Sequence, residues 1–203
     1  MATLQSIGAV LHGFPYTLRW RDFTEVETSR TPPRKAFTVA SLHMTGWHVG
    51  TDDRGFKVQG LSIRVSLIKR SSWAVKSRET GALLDHEQGH FDITGLIARD
   101  LARKVLDLSL SASEVAASKE AGTTADQHKR YAFKQFQKRI NGFGKEAAAL
   151  MNRLQSNKKD GLYDTDTKHG ENQAAQAKWN AFFKRMKTST EDFDRSLAKS
   201  GLG

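Results

Sequence analysis

Apolar residues recur along this chain with two periods, near two in the first third and near 3.6 afterwards. Between Pro15 and Asp22, Tyr16, Leu18 and Trp20 alternate with Thr17, Arg19 and Arg21, which predicts a half-buried strand. Residues 25–35 form a polar connection, where Pro32-Pro33 excludes helix. A second strand is expected over Ala36–Val49. There Phe37, Val39, Thr45, Trp47 and Val49 share one parity, and Leu42 and Met44 the other. Thr51–Gly55 has the composition of a hairpin turn, with Gly55 free to take a positive φ. Phe56–Ile68 predicts the third strand. Its apolar parity changes at Gly60, the expected place for a β-bulge. Together these predict a small antiparallel sheet that needs a helical cover.

After Ser71-Ser72-Trp73 the period changes. Leu83, His86, His90, Ile93, Ile97 and Leu101 follow 3-and-4 spacing, which predicts a helix over about Thr80–Leu108 capped by Ser77 or Thr80. Ser111–Gln127 is polar and alanine-rich, with Ser111 or Ser113 capping a short helix that Gly122 breaks. From Asp126 a long helix is predicted by Phe133, Phe136, Ile140, Phe143, Ala147, Leu150 and Leu154. Asn157–Gly161 reads as a loop. One last helix is expected over Asn172–Leu197, on the stripe Ala175, Trp179, Phe182, Met186, Phe193 and Leu197, and Ser200–Gly203 should fray. No internal repeat or low-complexity linker interrupts the 203 residues. The expected fold class is α+β, a single domain over 1–203 with a β-rich part at 1–75 and a helical part at 76–203.

The central helix carries chemistry. His86-Glu87-Gln88-Gly89-His90 is a His-Glu-x-x-His pattern. Its histidines lie one helical turn apart on one face, where two imidazoles can share a Zn²⁺. Glu87 lies about 100° around the helix, out of line for ligation but able to take a proton from water at the metal. The histidines also interrupt an inward apolar stripe, and buried imidazoles need partners. Asp85 and Asp92 flank them, and Asp92 is a candidate to orient an imidazole.

The chain contains no cysteine, so zinc must be held by His, Asp or Glu. A catalytic zinc takes a third protein ligand, and Phe91–Asp100 contains no further histidine. Glu114 and Glu120 lie in a polar segment with nothing to aim them inward. The stretch Tyr163–Gly170 is the better source, with a Tyr, two Asp, a His and a Gly in eight residues.

With Trp73, the set His86, Glu87, Gly89, His90 and Ile93 and the later Tyr163, Asp164, Thr167, His169 and Gly170, the chain resembles a bacterial family of predicted secreted zinc-dependent proteases. The resemblance runs over most of the chain and implies a zincin-like metallopeptidase. By position it makes His169 the first choice for third ligand and Asp164 the runner-up. If Asp164 binds the metal, His169 could instead stabilise the transition state, as could the Tyr163 hydroxyl. One departure is that relatives are expected to carry an export signal. Met1–Phe14 has neither a basic start nor a long apolar centre, so the expected location is cytoplasmic, or that of a processed form.

The resulting expectation is a zinc peptidase acting on a peptide or protein substrate. His86, His90 and His169 or Asp164 hold the metal, Glu87 is the general base, and the strand Leu61–Leu67 offers an edge for the substrate. A second reading is a zinc-stapled structural protein whose site is closed by four protein ligands. A net charge of +10 adds a third, a basic nucleic-acid-binding module, although no recognised motif supports it. No apolar run is long enough for a membrane span.

Overall fold

The computed structural model describes residues 9–52, 55–156 and 160–202. Its organising element is α1 (Gly81–Leu106), and every residue from 91 to 102 on it is buried. A helix covered on all sides needs packing partners all round. The fold supplies sheet on one flank and helices on the others, giving the α+β class expected. Thr80 is the N-cap, its side chain accepting from the Leu83 N–H.

Among the described residues, eight short strands lie on the N-terminal side: β1 (Ala9–His12), β2 (Thr24–Val26), β3 (Ala36–Phe37), β4 (Ala40–Thr45), β5 (His48–Asp52), β6 (Gly55–Gln59), β7 (Leu61–Leu67) and β8 (Trp73–Val75). They form two three-stranded sheets, ordered β1-β7-β4 and β2-β8-β3, and a β5-β6 ribbon. Both three-stranded sheets are mixed, since β1 runs parallel to β7 and β2 parallel to β8. The all-antiparallel expectation is therefore corrected. So is the substrate edge at Leu61–Leu67, because β7 is the central strand, with β1 and β4 on its two sides. Its inward residues Leu61, Ile63 and Val65 pack into the core.

The long second strand is instead three. Residues 38–39 carry the chain from β8 to β7, and Gly46, at φ +57°, separates β4 from β5. Gly60, at φ +69°, ends β6 and begins β7, a full break where a bulge was expected. Gly55 has the positive φ expected of it (+120°), and residues 53–54 of that turn lie outside the described residues. The Pro15–Asp22 stretch is not a strand. Its backbone bonds go to a side chain: the Leu18 N–H donates to Gln88 Oε1 at 2.8 Å and Gln88 Nε2 donates to the Tyr16 carbonyl at 3.0 Å. Trp20–Asp22 then closes as a 3₁₀ turn.

The helical side comprises α2 (Ala112–Glu120), α3 (Ala125–Leu154), α4 (Leu162–Thr167), α5 (Gln173–Thr188) and α6 (Phe193–Ser200). Ser111 and Thr124 cap α2 and α3 through capping boxes closed by Glu114 and Gln127. The single last helix is corrected to two. Arg99 explains the break: its guanidinium donates to the carbonyls of Met186, Ser189 and Glu191, taking up the end of α5. Asp100 accepts from the Phe193 N–H at 2.5 Å, and Asp192 caps α6. Leu202 packs partly against the core beyond that helix. Among the described residues, no helix is long and apolar enough to cross a membrane.

Candidate metal centre

The 163–170 stretch is half helix. Its first residues form α4, whose end is followed by three residues of positive φ: Lys168 (49°), His169 (53°) and Gly170 (84°). Only glycine adopts this conformation freely. A Cβ on Gly170 would stand 2.9 Å from the His86 Cβ, so a glycine is also what lets the turn sit against α1. Gly89 does the same from the other side. A Cβ there would fall 2.0 Å from the Tyr163 hydroxyl oxygen. The two glycines thus let α4 dock directly on the turn of α1 that carries the histidines.

The docking brings Asp164 to both of them. Its Oδ1 lies 3.1 Å from His86 Nε2 and 3.0 Å from His90 Nε2. His169 Nδ1 is 3.5 Å from the same oxygen. Despite these short distances, Asp164 Oδ1 is buried without a hydrogen bond, since no N–H is aimed at it. Glu87 Oε2 is likewise buried and unpartnered. Two orphaned carboxylate oxygens at one place are costly and call for a ligand. Glu87, His86, His90, Asp164 and His169 share a void of ≈ 10 Å³, about the room for one water-sized sphere.

The far side of each imidazole is tied down. His86 Nδ1 lies 3.3 Å from Gln176 Oε1 and 3.2 Å from Thr167 Oγ1, whose own proton goes to the Tyr163 carbonyl at 2.6 Å. His90 Nδ1 lies 3.3 Å from Gln155 Oε1, and Gln155 Nε2 donates to Thr94 Oγ1 at 2.8 Å. With acceptors at both Nδ1 atoms, the proton belongs on Nδ1 and the Nε2 lone pairs face Asp164. Fixing the far nitrogen in this way prepares an imidazole to bind a metal. Charge agrees. Burial alone would raise the Asp164 carboxyl, but His90, then His169 and His86, outweigh it and hold it well below the usual carboxylate range. Burial would lower His90, and Asp164 outweighs that to raise it. The site draws positive charge.

His86, Asp164 and His169 offer ligand atoms within 4.8 Å of one another, and His90 approaches the same aspartate oxygen more closely than His169 does. The donor set of His and Asp fits Zn²⁺. His86, His90 and Asp164 are the best-buried donors, with side chains 2, 12 and 5% exposed, while His169 is 28% exposed. His169 also reaches outward, with Nε2 3.4 Å from Asp160 Oδ2. Both candidate third ligands, Asp164 and His169, therefore lie beside His86, Asp164 the more deeply buried of the two.

Two sequence-based assignments are corrected. Tyr163 is fully buried, stacked on His86 at 4.9 Å, and its hydroxyl donates to the His86 carbonyl at 3.1 Å while accepting from Gln176 Nε2 at 2.7 Å. Its proton is committed to the α1 backbone, so it is a packing and positioning residue and not an oxyanion donor. Asp92 points away from the imidazoles. It pairs with Lys187 at 2.5 Å and accepts from Gln88 at 2.9 Å, fastening α1 to α5. Asp85 is exposed, Glu114 caps α2 and pairs with Arg139, and Glu120 is exposed.

Sequence reasoning missed Gln155, Gln176, Arg34 and Asp160. Gln176 could have been found, as a polar residue three before Trp179 and seven before Phe183 on the α5 stripe. Arg34 carries no such signal. Its Nη2 reaches Asp160 at 3.2 Å and Asp164 Oδ2 at 3.8 Å, on the side of the carboxylate away from the histidines. Gln155→Ala and Gln176→Ala should each weaken zinc binding by about 10–100-fold with little loss of helix content, measured by competition with a chromophoric chelator. Unchanged affinity in both would remove the orienting role.

Comparison with protein-family models, with curated proteins and with solved structures found no match to this chain.

Proposed function

We propose that this chain is a zinc-dependent hydrolase acting on peptide bonds, with His86, His90 and Asp164 holding the metal and Glu87 as general base. The observation that carries the proposal is the pair of α1 imidazoles, each tied at Nδ1 and turned with Nε2 toward one buried carboxylate oxygen that has no hydrogen bond. Zinc bound there would polarise the scissile carbonyl and make water at the site more acidic. Glu87 takes the proton of the attacking water and passes it to the leaving amine. Its buried, unpartnered Oε2 suits that exchange, because nothing else competes for the proton.

A cleft of ≈ 90 Å³ leads to His90 and Asp164 between residues 37–40 and the end of α3, at Met151, Asn152 and Gln155. β3 and β4 are each at the edge of their sheets, so their outer edges can pair with an extended peptide, while Val39 between them is already bonded to Ser72 and Ile68. The substrate edge moves here from β7.

Quenched fluorescent peptides test the reading. Turnover should disappear with a chelator and return with stoichiometric zinc. No cleavage by the zinc-loaded protein across a random peptide mixture would reject it. A second reading is favoured by the nearness of His169: with Asp164 it could make four protein ligands and a closed, structural site. That reading leaves the buried Glu87 carboxylate without a purpose.

A further inference from the structure

The outer face of α3 has no part in the metal centre. The helix carries Lys129, Arg130, Lys134, Lys138, Arg139, Lys145 and Arg153 against Asp126 and Glu146. Three ion pairs involve it among the described residues: Arg139 with Glu114, Arg153 with Asp194, and Glu146 with Lys104. Arg130, Lys134, Lys138 and Lys145 are all exposed and none takes part in an ion pair. At about 100° per residue these four fall within a sector of about 80°, on the opposite side from the buried Ala132, Phe136 and Ile140. They make a ridge about 22 Å long, at 1.5 Å per residue. Asn141, also exposed, lies within the same sector, and the exposed Gln137 lies about 20° beyond its edge. At its flank Phe133 is 40% exposed and stacks on Trp47 at 4.7 Å.

A solvated helix surface ordinarily mixes signs, with carboxylates one turn from lysines. Asp126 stands one turn before Arg130 at the end of the ridge, but no carboxylate lies between residues 130 and 145, so an external polyanion would neutralise the cations along its length. Its linear form matches a chain of phosphates. The ridge bears no large apolar side chain to insert among acyl chains, as an interfacial membrane helix would. It bears Gln137 and Asn141, whose amides can bond base edges in a groove as wide as a helix.

We propose that α3 presents a duplex-DNA-binding face, with Arg130, Lys134, Lys138 and Lys145 on backbone phosphates. The proposal is independent of the hydrolase reading. Four phosphate contacts give a slope of log K against log salt of about −3.6, an affinity loss of about 150-fold between 50 and 200 mM salt.

Fluorescence anisotropy with a labelled 20-base-pair duplex tests it on the full chain. The wild type should bind at 50 mM salt with that slope. Lys138→Gln should lower the slope by about 0.9, and the fourfold glutamine variant should lose binding while its circular dichroism stays unchanged. His86→Ala should bind DNA as wild type does, which separates this face from the metal centre. The proposal is overturned by no binding at 50 mM salt, by a slope that ignores the ridge substitutions, or by tighter ridge-dependent binding to vesicles of phosphatidylserine than to the duplex.

Discussion

Glu87→Gln should retain one equivalent of zinc and lose peptide hydrolysis by about 10²–10⁴-fold, the range supplied by a positioned general base. The amide keeps the size of the carboxylate but cannot take a proton from water. The same change should leave stability equal or raise it, by about 1–3 kcal/mol, because it removes a buried charge whose Oε2 has no partner. Gain in stability with loss of activity is the pattern expected of a group kept for chemistry. A structural zinc site predicts otherwise, since no turnover would exist to lose. Hydrolysis at the wild-type rate in Glu87→Gln, in protein shown to hold zinc, would dismiss Glu87 as the base.

The second large effect is steric. Gly89→Ala places a Cβ 2.0 Å from the Tyr163 hydroxyl oxygen and 2.4 Å from its ring carbon Cζ. The tyrosine cannot retreat, because Trp179 and Phe183 stand edge-on to it at 5.2 and 5.8 Å. α4 must then lift from α1 and carry Asp164 with it. We expect about 3 kcal/mol of destabilisation, the upper end for overpacking, or about 6–12 °C in Tm for a chain of this size. Zinc affinity should fall in parallel. In the double variant with Tyr163→Ala the cost should be well below the sum of the singles, since the alanine at 89 then meets nothing it displaces. Gly142→Ala is the control. Nothing lies within 4 Å of its Cβ, and it should gain about 1 kcal/mol in thermal or denaturant melts.

The helices were largely legible in the sequence because each announces itself locally. Thr80 and Ser111 cap where a hydroxyl precedes a periodic run, and α1 falls within two residues of its expected bounds. The break between α5 and α6 was not legible. It depends on Arg99 and Asp100, nearly a hundred residues earlier, reaching the backbone at 186–193. The sheet was read least well for the same reason. Alternation identified apolar faces in β7, but no local signal says that Ala9–His12 lies parallel beside it. At the candidate metal centre, the motif residues His86, Glu87, His90, Asp164 and His169 were legible as residue types at suggestive spacing. Their orientation was not. Whether Tyr163 faces the cavity or the α1 backbone is decided by the missing side chain at Gly89, and the imidazole tautomers by two glutamines that no spacing rule singles out.

The central claim is that a divalent ion joins the early turns of α1, at His86 and His90, to α4 through Asp164. Zinc content, measured by mass spectrometry on wild type, Asp164→Ala and His169→Ala after dialysis against excess zinc and then metal-free buffer, tests it most directly. The account predicts about one equivalent in wild type, near none in Asp164→Ala, and most of it kept in His169→Ala. A wild type that keeps no zinc, or an Asp164→Ala protein that keeps it all, would contradict the account.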